Sequence, residues 1–193
     1  MSLKSALSLV LLSLSVATVY ANNSDEQIVP IYITNEPWPQ MGFDVSTEQV
    51  PAIRFEPEES VSLDYIEMWF MNNSSDHQGE VTISLTTDVA REDGQSEPSE
   101  IVLESWTFQI SSRGWLVQKE VIESELKPYL EAGQRYWIVA QSDSAPIENP
   151  VWNVAGPMGD NIVLGYYGRL DPAEGTWSVG RSSIPAIRIY GQD

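Results

Sequence analysis

Residues 81–86, VTISLT, alternate strictly between apolar and hydroxyl-bearing side chains. This period of two is typical of a β-strand that has one buried face and one face exposed to water. The stretch 61–70, VSLDYIEMWF, begins with the same alternation, but its apolar positions shift by one residue after Leu63. Such a shift within one strand predicts a β-bulge at Asp64–Tyr65. Both stretches therefore indicate long strands of an antiparallel sheet.

Strand patterns separated by clusters of turn residues continue along most of the chain. Only the segment 122–129 has a helical pattern, and Pro128 limits its length. About ten short strands at this spacing predict an all-β fold, a single two-sheet antiparallel sandwich of jelly-roll type that comprises residues 22–193. The other predicted strands lie at 27–33, 50–56, 100–109, 114–120, 135–141, 150–155, 162–168, 175–180 and 185–191.

Residues 1–21 have the pattern of a signal peptide, and we expect cleavage after Ala21. Lys4 precedes an apolar run, and Val19-Tyr20-Ala21 places small residues at the expected cleavage site. An uncleaved membrane anchor is the alternative, but the run is shorter than the ~20 residues that span a bilayer. We therefore expect a secreted, extracellular protein, periplasmic if the cell is bacterial, with no membrane insertion once the leader is removed.

The composition limits the chemistry of the chain. It contains no cysteine, which excludes disulfides and metal sites built from thiolates. Its 28 acidic and 10 basic residues give a formal net charge of −18. This charge repels nucleic acid and anionic membranes, so we expect neither as a partner. A cationic partner or a divalent cation would suit it, and a role in solubility is the simplest alternative.

Three motifs suggest a family. They are AIRFEPEESVSLDYIEMWF at 52–70, LEAGQRYWIVA at 130–140 and IPAIRIYG at 184–191. In this order they resemble the choice-of-anchor β-sandwich domains of secreted bacterial proteins, the R subtype in particular. The resemblance implies a sandwich like those of carbohydrate-binding modules, located outside the cell. It implies no catalytic centre.

The stretch 136–152 brings aromatic rings close to carboxylates and amides, the residue types of a sugar-binding surface. We expect Tyr136 and Trp137 to be core residues, because they begin a strand that is apolar on both faces. The polar loop after this strand could instead form the rim of a site. The candidate ligand-binding residues are therefore rings on loops or strand ends and the polar groups of that loop, namely Trp38, Trp115, Trp152, Asp143, Glu148 and Asn149.

Calcium is a possible ligand of the segment 87–94, TDVAREDG, which places carboxylates around a glycine turn. The candidate ligands are Asp88, Glu92 and Asp93, and the alternative is a solvated acidic loop. A serine triad is not expected, because the single histidine, His77, lies in a polar loop and no Gly-x-Ser-x-Gly motif occurs.

The sequence favours a non-catalytic binding or surface-matrix module, with an extracellular glycan or another exported protein as its ligand. Two alternatives stay open. The first is a glycan-active hydrolase, because the many acidic residues could supply a pair of catalytic carboxylates. The second is a purely structural extracellular protein.

Overall fold

The computed structural model describes residues 27–76, 78–110, 114–156 and 164–193. Thirteen β-strands form this part of the chain. No helix among the described residues is long and apolar enough to cross a membrane. The strands are β1 Ile28–Ile33, β2 Pro37–Asp44, β3 Val50–Phe55, β4 Val61–Asn72, β5 Gly79–Ala90, β6 Ser96–Ile110, β7 Gln118–Glu123, β8 Tyr129–Leu130, β9 Tyr136–Gln141, β10 Pro150–Ala155, β11 Leu164–Asp171, β12 Thr176–Ser183 and β13 Ile187–Gln192.

The strands form two antiparallel sheets that are not closed into a barrel, which confirms the predicted all-β sandwich. Sheet 1 has the order β1-β13-β4-β10-β2, and β7 and β8 also pair with β4. Sheet 2 has the order β12-β11-β3-β9-β5-β6. Neighbouring strands mostly come from distant parts of the chain, as in jelly rolls, where connections cross between the sheets. The sequence pattern predicts neither β2 nor β8.

The main core lies between the two sheets. On β5 the apolar residues Val81, Ile83 and Leu85 are fully buried in it, whereas Thr82 lies on the opposite face and bonds to Thr107 of β6. The alternation at 81–86 is therefore confirmed, but the predicted exposure of the outer face to water is wrong, because Ser84 and Thr86 on that face are buried. Phe70 of β4 packs into the same core from sheet 1.

The predicted bulge in β4 is confirmed. Tyr65 pairs with Tyr190 of β13, but the next pair joins Leu63 to Gly191, so Asp64 has no partner in this ladder. A Cβ atom on Gly191 would lie 2.7 Å from Val61 Cγ2, which leaves no room for a side chain at this point. The extra residue restores the apolar face of β4 to the core after the shift in pattern.

The predicted helix at 122–129 is wrong. This segment contains the end of β7, a turn and the start of β8. The carboxylate of Glu104 on β6 accepts hydrogen bonds from the backbone N–H groups of Glu125 (2.7 Å) and Leu126 (3.1 Å) and from the Ser124 hydroxyl. These bonds to a residue distant in sequence hold residues 124–126 in a turn.

A second, smaller core lies on the outer face of sheet 2. It contains Trp137, which is fully buried, together with Val50, Ala52 and Val139. The tip of the β5–β6 hairpin lies over this face, because Arg91 Nη1 donates to the carbonyl of Trp177 on β12 (2.7 Å). The prediction that Tyr136 and Trp137 are core residues is confirmed, with the two rings in different cores.

Candidate functional site

The structure divides the predicted ligand-binding residues into exposed and buried ones. The side chains of Trp38 and Trp115 are 42% and 53% exposed. Asp143 and Glu148 are also exposed. In contrast, Trp152 and Asn149 are fully buried. The loop and the two exposed rings are available to a ligand, whereas the two buried side chains are not.

The prediction that the Trp152 ring stacks on a ligand is wrong. Its ring is stacked near Phe70 in the main core, with the ring centroids 6.1 Å apart. Its Nε1 donates to the carbonyl of Ala186 (3.0 Å). The reason is that β10 is a central strand, paired with β4 on one side and β2 on the other, and Trp152 lies on its inner face.

Asn149 organises the loop from inside and does not face the solvent. Its Oδ1 accepts from the Ile147 backbone N–H (3.0 Å) and from Asn73 Nδ2 (3.1 Å). Its Nδ2 donates to Asp44 Oδ1 (3.3 Å), to which Asn73 Nδ2 also donates (3.2 Å). We call Asp44, Asn73 and Asn149 the amide cluster. It joins β2, the end of β4 and the loop before β10 at one end of the sandwich.

The amide cluster fixes an unusual turn. Ile147 has a φ of 79°, a region that a β-branched residue rarely adopts, and its side chain is 82% exposed. The Glu148 N–H donates to the Ala145 carbonyl (3.2 Å), so Pro146 and Ile147 are the central residues of a β-turn. Such strain persists only where surrounding contacts impose it, here the bond from Ile147 to Asn149.

Trp38 lies on a short excursion from β2. Pro37 pairs with Ala155 and Gly42 with Asn153, so the residues between them leave the ladder. The buried Asn153 side chain donates to the carbonyls of Trp38 (3.4 Å) and Met41 (3.3 Å). These contacts hold the excursion against the outer face of β10, while the Trp38 and Met41 side chains stay 42% and 50% exposed.

Trp115 follows the left-handed Gly114, whose φ is 60°. The Gly114 carbonyl accepts from the Asn72 N–H (3.1 Å), and the adjacent Asn73 N–H donates to the Asn149 carbonyl (3.0 Å). Trp115 therefore lies next to the amide cluster, at the end of β4. We use the name tryptophan rim for the exposed Trp38, Trp115 and the exposed residues of the 142–148 loop. Trp38 lies toward the Ala155 end of β10, and Trp115 and the loop lie toward its Pro150 end.

The three predicted calcium ligands do not converge. Asp88 Oδ1 accepts from Trp137 Nε1 (2.7 Å) and Asp93 pairs with Arg91 (3.2 Å). Among the described residues, no group of three or more acidic or histidine side chains could hold a metal ion. The prediction of a site formed by Asp88, Glu92 and Asp93 is wrong, because two of these carboxylates are committed to an indole and a guanidinium. His77 lies outside the described residues.

We expect calcium to leave the stability of the protein unchanged. Binding to the folded state raises the melting temperature in proportion to the logarithm of ligand over Kd. At about 5 mM calcium, an extracellular site of ordinary affinity would be well occupied. Differential scanning calorimetry with calcium and with a chelator should give the same melting temperature. A rise that the chelator reverses, and that Asp93→Ala abolishes, would contradict this prediction.

The sequence pattern does not predict a cavity that is lined by arginines in the structure. It has a volume of about 340 Å³ and lies on the outer side of sheet 2, below the tip of the β5–β6 hairpin. Arg54 and Tyr166 project into it from neighbouring strands, because Ile53 and Tyr167, which pair with each other, face the main core. Arg181 pairs directly with Tyr166, so it lies on the same face. We call this space the arginine cavity; its lining residues include Arg54, Arg135, Arg181, Tyr166, Gln95 and Ser96.

The contacts of Arg54 hold it in place within the cavity. Its guanidinium carbon lies 3.5 Å from the centroid of the Tyr166 ring. Its Nη1 donates to the hydroxyl of the buried Ser96 on β6 (2.9 Å). The Trp137 ring centroid is 6.0 Å away on the other side. Stacking and one hydrogen bond fix the plane of the guanidinium but leave its charge without a carboxylate.

Elsewhere among the described residues, every cation except Arg169 is paired with a carboxylate. On the outer face of sheet 1, Arg188 and Lys119 both pair with Glu67, at 3.4 and 2.8 Å, and Arg188 also pairs with Glu36. The hydrogen bond to Glu67 raises the pKa of Lys119. Within the part of the chain that the structure describes, Arg54 and Arg181 form no such pair. Arg54 and Arg181 therefore differ from the cations in these ion pairs, because no carboxylate of the described residues neutralises them.

Comparisons with known proteins gave no assignment. No family model matches the chain, and no curated protein matches it.

Proposed function

We propose that this protein is a secreted, non-catalytic binding module whose ligand is a glycan or another exported protein. The observation that carries the proposal is the tryptophan rim, where two indoles remain largely exposed on backbone segments fixed by hydrogen bonds. The leader-like residues 1–21 support secretion. The resemblance to the choice-of-anchor domains is part of this proposal, and the sandwich fold is the one that it implies.

The Trp38 ring is presented at low entropic cost. Pro37 and Pro39 restrict the backbone on both sides, and Asn153 holds the carbonyls at both ends of the excursion. A ligand that stacks on the indole would not have to order this segment first, and preorganisation of this kind improves affinity. Flat sugar faces and apolar protein side chains both suit such a ring.

The amide cluster supplies polar groups beside Trp115. The Oδ1 atom of Asn73 is buried and has no hydrogen-bond partner among the described residues. Buried acceptors are normally satisfied by protein or by ordered water, so we expect a water at this atom, which can bridge it to a ligand hydroxyl. Together with the exposed Asp143 and Glu148, this bridge gives the rim the mixture of rings and hydrogen-bonding groups that sugar sites require.

We expect Trp38→Ala and Trp115→Ala to weaken ligand retention without lowering the melting temperature. Loss of one stacking ring should reduce affinity about two- to tenfold, the equivalent of the 0.5–1.5 kcal/mol of an aromatic contact. Affinity electrophoresis of residues 22–193 through gels that contain neutral polysaccharides would measure this loss. Ile101→Ala is the matched control, because Ile101 is 63% exposed but lies on β6 of the other sheet.

Other outcomes separate the alternatives. Retention by exported proteins alone, again sensitive to Trp38→Ala, would identify a protein partner. Release of reducing ends from a bound polysaccharide would contradict the non-catalytic assignment and favour a hydrolase. If the protein is retained by neither polysaccharides nor exported proteins, it is a structural protein and the proposal fails.

A further inference from the structure

The arginine cavity concentrates positive charge in an acidic protein. The sequence contains seven arginines among 28 acidic residues, and three of these arginines line this one cavity. Among the described residues, Asp93 is the one acidic residue in its lining, and Asp93 is already paired with Arg91. Arg135 pairs with Glu56 at 3.6 Å, but that pair is about half exposed and therefore weak.

Arg54 and Arg181 together can hold one anionic group. They flank Tyr166 on successive strands, so their backbones are about 10 Å apart, two strand spacings. Both side chains are long enough to reach a common point between them. A guanidinium binds a carboxylate through two parallel N–H···O bonds, a geometry that a lysine does not offer. The stacking of Arg54 on Tyr166 already orients one of the two guanidinium groups.

We propose that the arginine cavity binds the carboxylate of an acidic sugar residue, such as a uronic acid within a glycan chain. A volume of about 340 Å³ suits one or two sugar rings rather than a folded partner. The Tyr166 side chain remains 45% exposed and offers an aromatic surface beside the guanidinium groups. Gln95, which is exposed, adds a hydrogen-bonding group for sugar hydroxyls.

Because the protein as a whole is acidic, it can bind an anion only at a local cluster of cations. A net charge of −18 repels anions at long range, so a carboxylate is held only where local cations outweigh this field. At physiological ionic strength the screening length is about 8 Å, which confines the attraction to the cavity itself. Binding of the carboxylate therefore requires contact with Arg54 and Arg181 and does not require a basic surface.

The test compares three probes by isothermal titration calorimetry on residues 22–193. They are a trisaccharide of galacturonic acid, the neutral galactose trisaccharide with the same linkages, and a pentaglutamate peptide. We expect the galacturonate probe to bind, the neutral probe to bind at least about tenfold more weakly, and added salt to weaken the galacturonate complex. Equal binding of the peptide would overturn the assignment to a sugar, and absence of galacturonate binding would overturn the site.

Arg181→Ala is the decisive variant, because this side chain is exposed and carries no packing in the core. It should weaken galacturonate binding about tenfold or more, the equivalent of one charge-assisted hydrogen bond. Arg181→Lys should keep only part of the affinity, because a lysine has the same charge but cannot form two parallel hydrogen bonds with a carboxylate. Lys127→Ala, which removes an exposed cation of sheet 1, should have no effect. Unchanged binding in Arg181→Ala would refute the proposal.

This site is separate from the tryptophan rim, so the two proposals can fail independently. Arg181→Ala should leave retention by neutral polysaccharides intact, and Trp38→Ala should leave galacturonate binding intact. Binding of neutral glycans without galacturonate binding would remove the arginine cavity from the function and keep the rim. If one variant loses both retention by neutral polysaccharides and galacturonate binding, the two ligands share one site, which would contradict two separate sites.

Discussion

Trp137→Ala is expected to lower the free energy of unfolding by about 3–5 kcal/mol, as for other fully buried tryptophans. The indole is 0% exposed and belongs to the small core on the outer face of sheet 2. A Cβ on Gly168 would lie 3.2 Å from Trp137 Cζ3, so the ring rests directly on the backbone of β11. Alanine would leave a cavity there that this glycine cannot fill.

The replacement would also remove a polar contact. Trp137 Nε1 donates to Asp88 Oδ1 (2.7 Å), a bond that ties the β5–β6 hairpin, close to its tip, to β9. Without it, a carboxylate is left against an apolar void, which adds to the cost of the cavity. Because Arg54 lies beside the same ring, we also expect the arginine cavity to lose its shape in this variant.

Equilibrium unfolding in urea, followed by far-UV circular dichroism, would measure the loss. Trp115→Ala is the matched control, and its effect should stay below about 1 kcal/mol, because the ring is 53% exposed. A loss below about 1 kcal/mol for Trp137→Ala as well would show that the hairpin does not cover this ring in solution, and that the small core is absent.

The sequence pattern predicts the core well because burial on a strand depends on local alternation. The strand at 81–86, the bulge at Asp64 and the burial of Trp137 all follow from apolar residues within a few positions of one another. The orientation of Trp152 does not follow in this way. Alternation separates the two faces of β10 but does not identify the inner one, and that depends on the pairing of β10 with β4 and β2.

The arginine cavity could not be predicted for a related reason. Arg54, Arg135 and Arg181 lie far apart in the sequence, and each is an isolated cation in an otherwise ordinary strand or turn. They meet only because β3, β9, β11 and β12 are neighbours in sheet 2 in a particular register. A local pattern contains no information about such a register. The abundance of acidic residues also favours cations over anions as ligands, so the composition does not indicate an anion site.

The failed helix at 122–129 leads to the second large effect. Glu104 is 4% exposed and lies on β6 of sheet 2, whereas the three donors to its carboxylate follow β7 of sheet 1. Trp106, two residues further along β6, also donates from Nε1 to the Glu123 carbonyl (3.0 Å). Glu104 therefore joins the two sheets at this edge, and its bonds hold a turn where the local sequence favours a helix.

We expect Glu104→Ala to destabilise the protein by about 2–4 kcal/mol, because hydrogen bonds to a charged group contribute more than neutral ones and three are lost together. Urea unfolding would measure the change. Glu100→Ala is the matched control on the same strand, where the side chain is exposed, and should change stability by less than about 0.5 kcal/mol. Glu104→Gln should fall between the two variants, because its amide keeps one acceptor oxygen but presents an N–H₂ group to the remaining donors. If Glu104→Ala is as stable as Glu100→Ala, the turn does not depend on Glu104, and the bonds to its carboxylate do not hold the two sheets together at this edge.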